Sequence, residues 1–135
     1  MKKLLYAAML LLGVGIMAVS CKKDDGISTK DYANAIVGEW KVEKFESYKD
    51  GKLSETEIPT AENHTTLIFS ANGKVTTVDT YKGKTETYDY DYVLSGKTVS
   101  VAGEDYEIMK LTRKEMVWSL TYKTQEERVY FSRVK

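Results

Sequence analysis

The chain has 135 residues, with 20 Lys and Arg balancing 20 Asp and Glu, and one histidine, one cysteine and one proline. That length bounds it to a single domain with a modest core, and charges of both signs with no excess exclude the electrostatic footprint of a nucleic-acid binder. A lone histidine and a lone cysteine leave no metal-ligand cluster and no Ser-His-Asp set, so neither an enzyme nor a cofactor is expected.

Lys2 and Lys3 precede an uncharged, mostly apolar run from Leu4 to Val19, the order of a secretory signal. The run closes on Ala18-Val19-Ser20-Cys21, which resembles the lipobox of bacterial lipoproteins. That resemblance implies that residues 1–20 are removed as a signal peptide and that Cys21 carries acyl chains, making a membrane the partner of the mature chain. An uncleaved anchor stands as the alternative, because Leu4 to Cys21 lies near the lower limit of a spanning helix. Without the leader, 18 basic groups face 20 acidic ones, a net charge of −2. Lys22-Lys23-Asp24-Asp25 resembles the basic-then-acidic tag of surface-exported lipoproteins of some Gram-negative bacteria, and implies an outer-membrane protein facing the medium. Read by composition alone, residues 21–30 are a solvated tether.

Ser28 caps a short helix towards Ala35, with Tyr32 and Ile36 on one face. The domain is taken as residues 31–135. Ten tyrosines, many threonines and a single proline favour strands for the remainder. The first strand, 38–48, aims Trp40 and Val42 the same way, and Phe45 breaks that parity, which predicts a bulge between Val42 and Phe45. Lys52 to His64 contains Pro59 and reads as a long connection, a candidate lid. Asn72-Gly73 then predicts a type I′ hairpin from Thr65 to Asp79, with strands 65–70 and 74–82 and with Leu67 and Phe69 on one face.

In strand 85–94, Tyr88, Tyr90, Tyr92 and Leu94 share one face while Asp89 and Asp91 take the other. The aromatic face is expected to be buried, because inverting it would desolvate unpaired carboxylates. Strands 97–102, 105–111, 115–122 and 128–134 follow; Met116, Trp118, Leu120 and Tyr122 are in phase in one, Phe131 and Arg133 in the other. Eight strands joined by short connections predict an all-β fold, an antiparallel up-and-down barrel that leaves no open edge.

Gly38-x-Trp40 after a helical turn, the Asn72-Gly73 hairpin, Tyr88 to Leu94 before Ser95-Gly96-Lys97-Thr98-Val99, Tyr106 to Thr112, and the closing Phe131-Ser132-Arg133 together resemble the lipocalin-like domain of bacterial lipoproteins. The resemblance covers residues 28–135. It implies that Trp40 packs at the closed end of the barrel with Arg133 across its ring, a structural cation–π pair.

Two functions stay open. Phe69, Tyr88, Tyr90, Tyr92, Tyr106, Trp118 and Tyr122 either line a pocket for a small hydrophobic or amphipathic ligand or fill the barrel as core. In the second case the chain is an interaction module, touching another envelope protein or a host molecule through the Lys52 to His64 loop and the Thr124 to Glu127 turn. A monomer is expected in either case.

Overall fold

The computed structural model describes residues 27–135. The signal, the lipidation site Cys21 and the charged tag lie outside the described residues.

The Ile27 N–H donates to the Leu111 carbonyl at 2.9 Å, so the chain is packed on the domain ahead of residue 31. A 3-10 turn, Thr29–Asp31, runs into α1, Tyr32–Ala35; Ser28 is the N-cap by position but makes no side-chain capping bond. So short a helix holds only by packing. Tyr32 and Ile36 supply it, both buried in the core.

Nine strands follow: β1 Gly38–Lys49, β2 Lys52–Glu57, β3 His64–Phe69, β4 Lys74–Tyr81, β5 Lys84–Ser95, β6 Thr98–Val101, β7 Glu104–Leu111, β8 Glu115–Tyr122 and β9 Gln125–Arg133. Every pairing is antiparallel, β3 to β9 run in sequential order, and β1 closes the ring by pairing with both β3 and β9. The expected eight-stranded barrel is therefore present, with β2 as an addition.

The stretch Lys52 to Glu57, read from sequence as part of a lid, is a strand paired to the upper half of β1, Phe45 with Glu57 through Lys49 with Lys52. All six of its residues are exposed. Backbone pairing makes this strand, and apolar alternation, the signal used to find strands, is missing from it. Only residues 58–63 remain as connection.

The bulge predicted in β1 is found as a register shift between Val42 and Lys44 against β9. It keeps Trp40, Val42 and Phe45 all facing the core. The Thr65–Asp79 hairpin is also found, those two residues being direct partners. Its turn differs from expectation. Gly73 alone has positive φ and Ser70 N–H bonds back to Lys74 O, so the loop is longer than the two-residue type I′ form. The type I′ pattern of two successive positive φ values appears instead at Asp50-Gly51, Lys82-Gly83 and Ala102-Gly103.

The lower half of the barrel is solid. Trp40, Ile36, Phe69, Val75, Val99, Ile108, Leu111 and Met116 are fully buried there. The base is sealed by Arg133, whose guanidinium carbon lies 4.2 Å from the Trp40 ring centre. Its nitrogens donate to the carbonyls of Ala35, Val37 (3.0 Å) and Arg113 (2.6 Å), and Trp40 Nε1 donates to Ile36 O at 2.9 Å. Gly38 has φ of 139°, and a Cβ there would run into Arg133 Nη1 and stand 2.8 Å from Lys135 O. The Gly-x-Trp spacing thus leaves the space that the arginine occupies.

On the outside, the seam between β1 and β9 gathers around Glu46. Tyr130 and Tyr48 hydroxyls donate to its Oε1 at 2.7 and 2.8 Å, and Lys44 Nζ stands 3.2 Å from Oε2. The Tyr130 bond is the largest cause holding the Glu46 carboxyl below its ordinary pKa, and the bond to Glu46 pushes Tyr48 up to about 12.

Two stability outcomes follow from these contacts. Arg133→Met, which keeps bulk but removes every donor, is expected to cost about 3 kcal/mol in urea unfolding, with Arg133→Lys intermediate. A loss below about 1 kcal/mol would mean the clamp is incidental. Because the folded Glu46 value is depressed, its contribution is fully present above the unfolded carboxylate pKa of about 4.3 and is lost as pH falls through the folded value. The stability gap between the native chain and Glu46→Gln is expected at pH 7 and should close in unfolding curves taken below pH 4.

Candidate functional site at the open end

The barrel walls are unequal in height, and that difference bares part of the inner face at the open end. β6 has four residues where β5 has twelve, and β5 meets β6 only through Tyr92–Ser95. The β4–β5 hairpin therefore stands above the wall beside it. Tyr88 and Tyr90 lie opposite Thr77 and Val75, which places both on the inner face of that hairpin. They are nonetheless 43% and 37% exposed, stacked on each other at 6.5 Å. Tyr122, at the top of β8, is 45% exposed. Parity assigned these faces as observed, but the burial expected of Tyr88, Tyr90 and Tyr122 is corrected, because no opposing strand rises to cover them.

The other aromatic residues converge. Phe69 packs edge-on against Tyr92 at 4.9 Å and Trp118 at 6.1 Å, and Trp118 lies 4.8 Å from Tyr106 and 4.7 Å from Phe131. These rings touch one another, so they floor the open end and do not surround a chamber. Tyr92 OH donates to Ser70 O at 2.9 Å. Trp118, only 3% exposed, has an indole N–H with no partner among the described residues.

Above this floor lie two clefts. One of about 490 Å³ runs between β2 and the β3–β4 hairpin, with Phe45, Ser47, Glu57, Thr65, Asp79, Tyr81 and Glu127 among its walls. The other, of about 690 Å³, is lined by Glu104, Asp105, Tyr106, Leu120, Thr121, Tyr122 and Glu127. Glu127 belongs to both, and among the described residues neither lining contains a lysine or arginine.

The field in this mouth is negative, and two phenols register it. Burial first, then the Glu104 and Glu127 charges, raise the pKa of Tyr106; Glu127 is the largest cause raising that of Tyr122, whose OH donates to it at 3.3 Å. Asp79 accepts from Thr65 Oγ1 at 2.8 Å. His64 sits on the rim with Nδ1 3.0 Å from Thr60 O. Among the described residues no group of three or more His, Cys, Asp or Glu has metal-binding geometry.

The sequence reading missed the acidic members of this mouth. Asp79 and Glu127 were available to the same parity count that placed the tyrosines, since Asp79 is in phase with Val75 and Thr77, and Glu127 with Val129 and Phe131. Glu57 was not available, because the strand carrying it was read as loop.

A family model described as a lipocalin-like domain matches residues 36–118, from the C-cap of α1 to the middle of β8. No curated protein matches the chain.

Proposed function

The chain belongs to the lipocalin-like domain family, and from that premise we propose that it binds a small amphipathic ligand at the open end of the barrel. Lipocalin-like domains are generally not enzymes. The observation that carries the reading is a mouth whose floor is aromatic and whose walls are carboxylate. An apolar body can rest on Tyr106, Leu120 and Phe45, while a positively charged or hydrogen-donating head meets Glu127, Asp79 or Glu57. The packed rings below limit the ligand to the mouth.

Cys21, with Lys2-Lys3 and the apolar run from Leu4 to Val19 ahead of it, supports a lipid anchor, and with it a place on the outer membrane. Ile27 leaves the barrel beside Leu111, at the closed end. Five residues lie between it and Cys21, so the six steps from one to the other reach about 20 Å. The anchor therefore keeps the base near the bilayer and turns the mouth towards water. A second reading has one observation in its favour: Leu53 and Ile58, on the β2 flap and the connection after it, are exposed apolar side chains. In that reading the flap docks on another envelope protein or a host protein.

Titration of the full chain with an aromatic quaternary-ammonium dye is expected to quench tryptophan and tyrosine emission and to saturate, with an uncharged analogue binding several-fold more weakly. Glu127→Gln with Asp79→Asn should weaken the charged dye by about tenfold and leave the neutral one unchanged. Emission unaltered at any dye concentration would end the ligand reading and leave the flap as the working surface. For the anchor, Cys21→Ser is expected to abolish labelling by an alkynyl fatty acid and to release the protein from the membrane fraction. Unchanged membrane retention would point to the uncleaved span instead.

A further inference from the structure

The same height difference that bares the tyrosines leaves a strand edge open. Among the described residues, 84–91 of β5 pair with β4 on one side and with no strand on the other, and all eight are exposed. Tyr92 N–H bonds to Gly73 O, on the β4 side. Alternation along an antiparallel pair then turns the backbone groups of Thr85, Thr87, Asp89 and Asp91 towards the free edge. Such an edge is a template for another strand.

We propose that the occupant is a second copy of this chain, joined antiparallel along β5 with Thr87 on the two-fold axis. Charge and space favour that register over those centred on Glu86, Tyr88 and Asp89. In a two-fold pairing, facing residues must lie on the same side of the sheet, which restricts the choice to centres on single residues. Centring on Glu86 or on Asp89 sets two carboxylates face to face. Centring on Tyr88 puts the partner's Lys84 opposite Tyr92, a place that Val101 already holds.

Centring on Thr87 avoids both faults. Thr87 then faces the partner's Thr87, and Thr85 faces the partner's Asp89. On the inner side, Lys84 lies across from the partner's Tyr90 and Glu86 from the partner's Tyr88. No like charges stand opposite. The outer pairs repeat chemistry that β5 already uses against β4, where Thr76 donates to Asp89 at 2.8 Å and Thr80 bonds Thr85 at 2.9 Å. The partner's Gly83 falls beside Asp91, so the incoming turn ends where β6 begins. The pairing adds about six backbone hydrogen bonds and lays the exposed Tyr88–Tyr90 stack against a neighbour.

The test is cross-linking in the full chain, solubilised in mild detergent and in native envelopes, with the unsubstituted chain as control for Cys21. Under mild oxidation Thr87→Cys is expected to form a disulfide-linked dimer in several-fold higher yield than Thr85→Cys, which lies too far from its own symmetry mate. Mixing Thr85→Cys with Asp89→Cys is expected to restore the yield. These sites are exposed and outside the core, and unchanged circular dichroism will show that each variant folds. A Thr87→Cys yield no higher than that of Thr85→Cys overturns the proposal, and so does its capture of a different polypeptide in envelopes. Neither result bears on ligand binding at the mouth.

Discussion

Everything above the base of this barrel depends on Arg133. It is a cation placed at the seam where the first and last strands close, and three carbonyls that would otherwise end there unpaired point at it. Trp40 supplies the flat surface on which it rests, and its indole N–H ties the helical turn to the first strand through Ile36. A lysine has the charge but not the fork of donors, and so cannot hold the same three groups. Gly38 is glycine because the arginine and the last backbone carbonyl fill the space a side chain would need. Helical turn, β1 and β9 are thereby locked into one closed end.

With the base fixed, function becomes a matter of how high each strand rises from it. β6 is short and its neighbours are long, so the inner surface of the β4–β5 hairpin passes from packed core at Val75 and Tyr92 to solvent at Tyr88 and Tyr90 within a few residues. The same shortfall opens the mouth above Trp118 and exposes the upper edge of β5. One asymmetry thus accompanies both the proposed ligand surface and a strand edge left unpaired among the described residues.

The electrostatics divide along the wall. Outside, carboxylates are matched: Glu46 by Tyr130, Tyr48 and Lys44, Glu126 by Arg128 and Ser119. Inside the mouth, Glu104 and Glu127 raise nearby phenols, which records an excess of negative charge over a floor of rings. Charge pairing on the outer seam holds the closure of the barrel, while the unbalanced charge within the mouth is what the proposed cationic head group would meet.

The sequence by itself determined which way side chains face. Alternation of apolar with polar residues assigned the inner faces of β5 and β8 and the break at Phe45 required the bulge, while the closed end at Gly38, Trp40 and Arg133 was implied by the resemblance to the lipocalin-like family. Those features are written locally, in parity and in residue type. What only the tertiary structure decided was how much each inward side chain is covered. Tyr92 and Tyr88 are equivalent by phase, yet one is packed on Phe69 and the other stands in water, because cover depends on the height of a strand elsewhere in the ring. The sequence was equally silent on β2, whose residues pair through the backbone and bury nothing. Direction follows from the chain's own geometry, but burial, and with it the shape of the mouth, depends on neighbours that folding brings alongside.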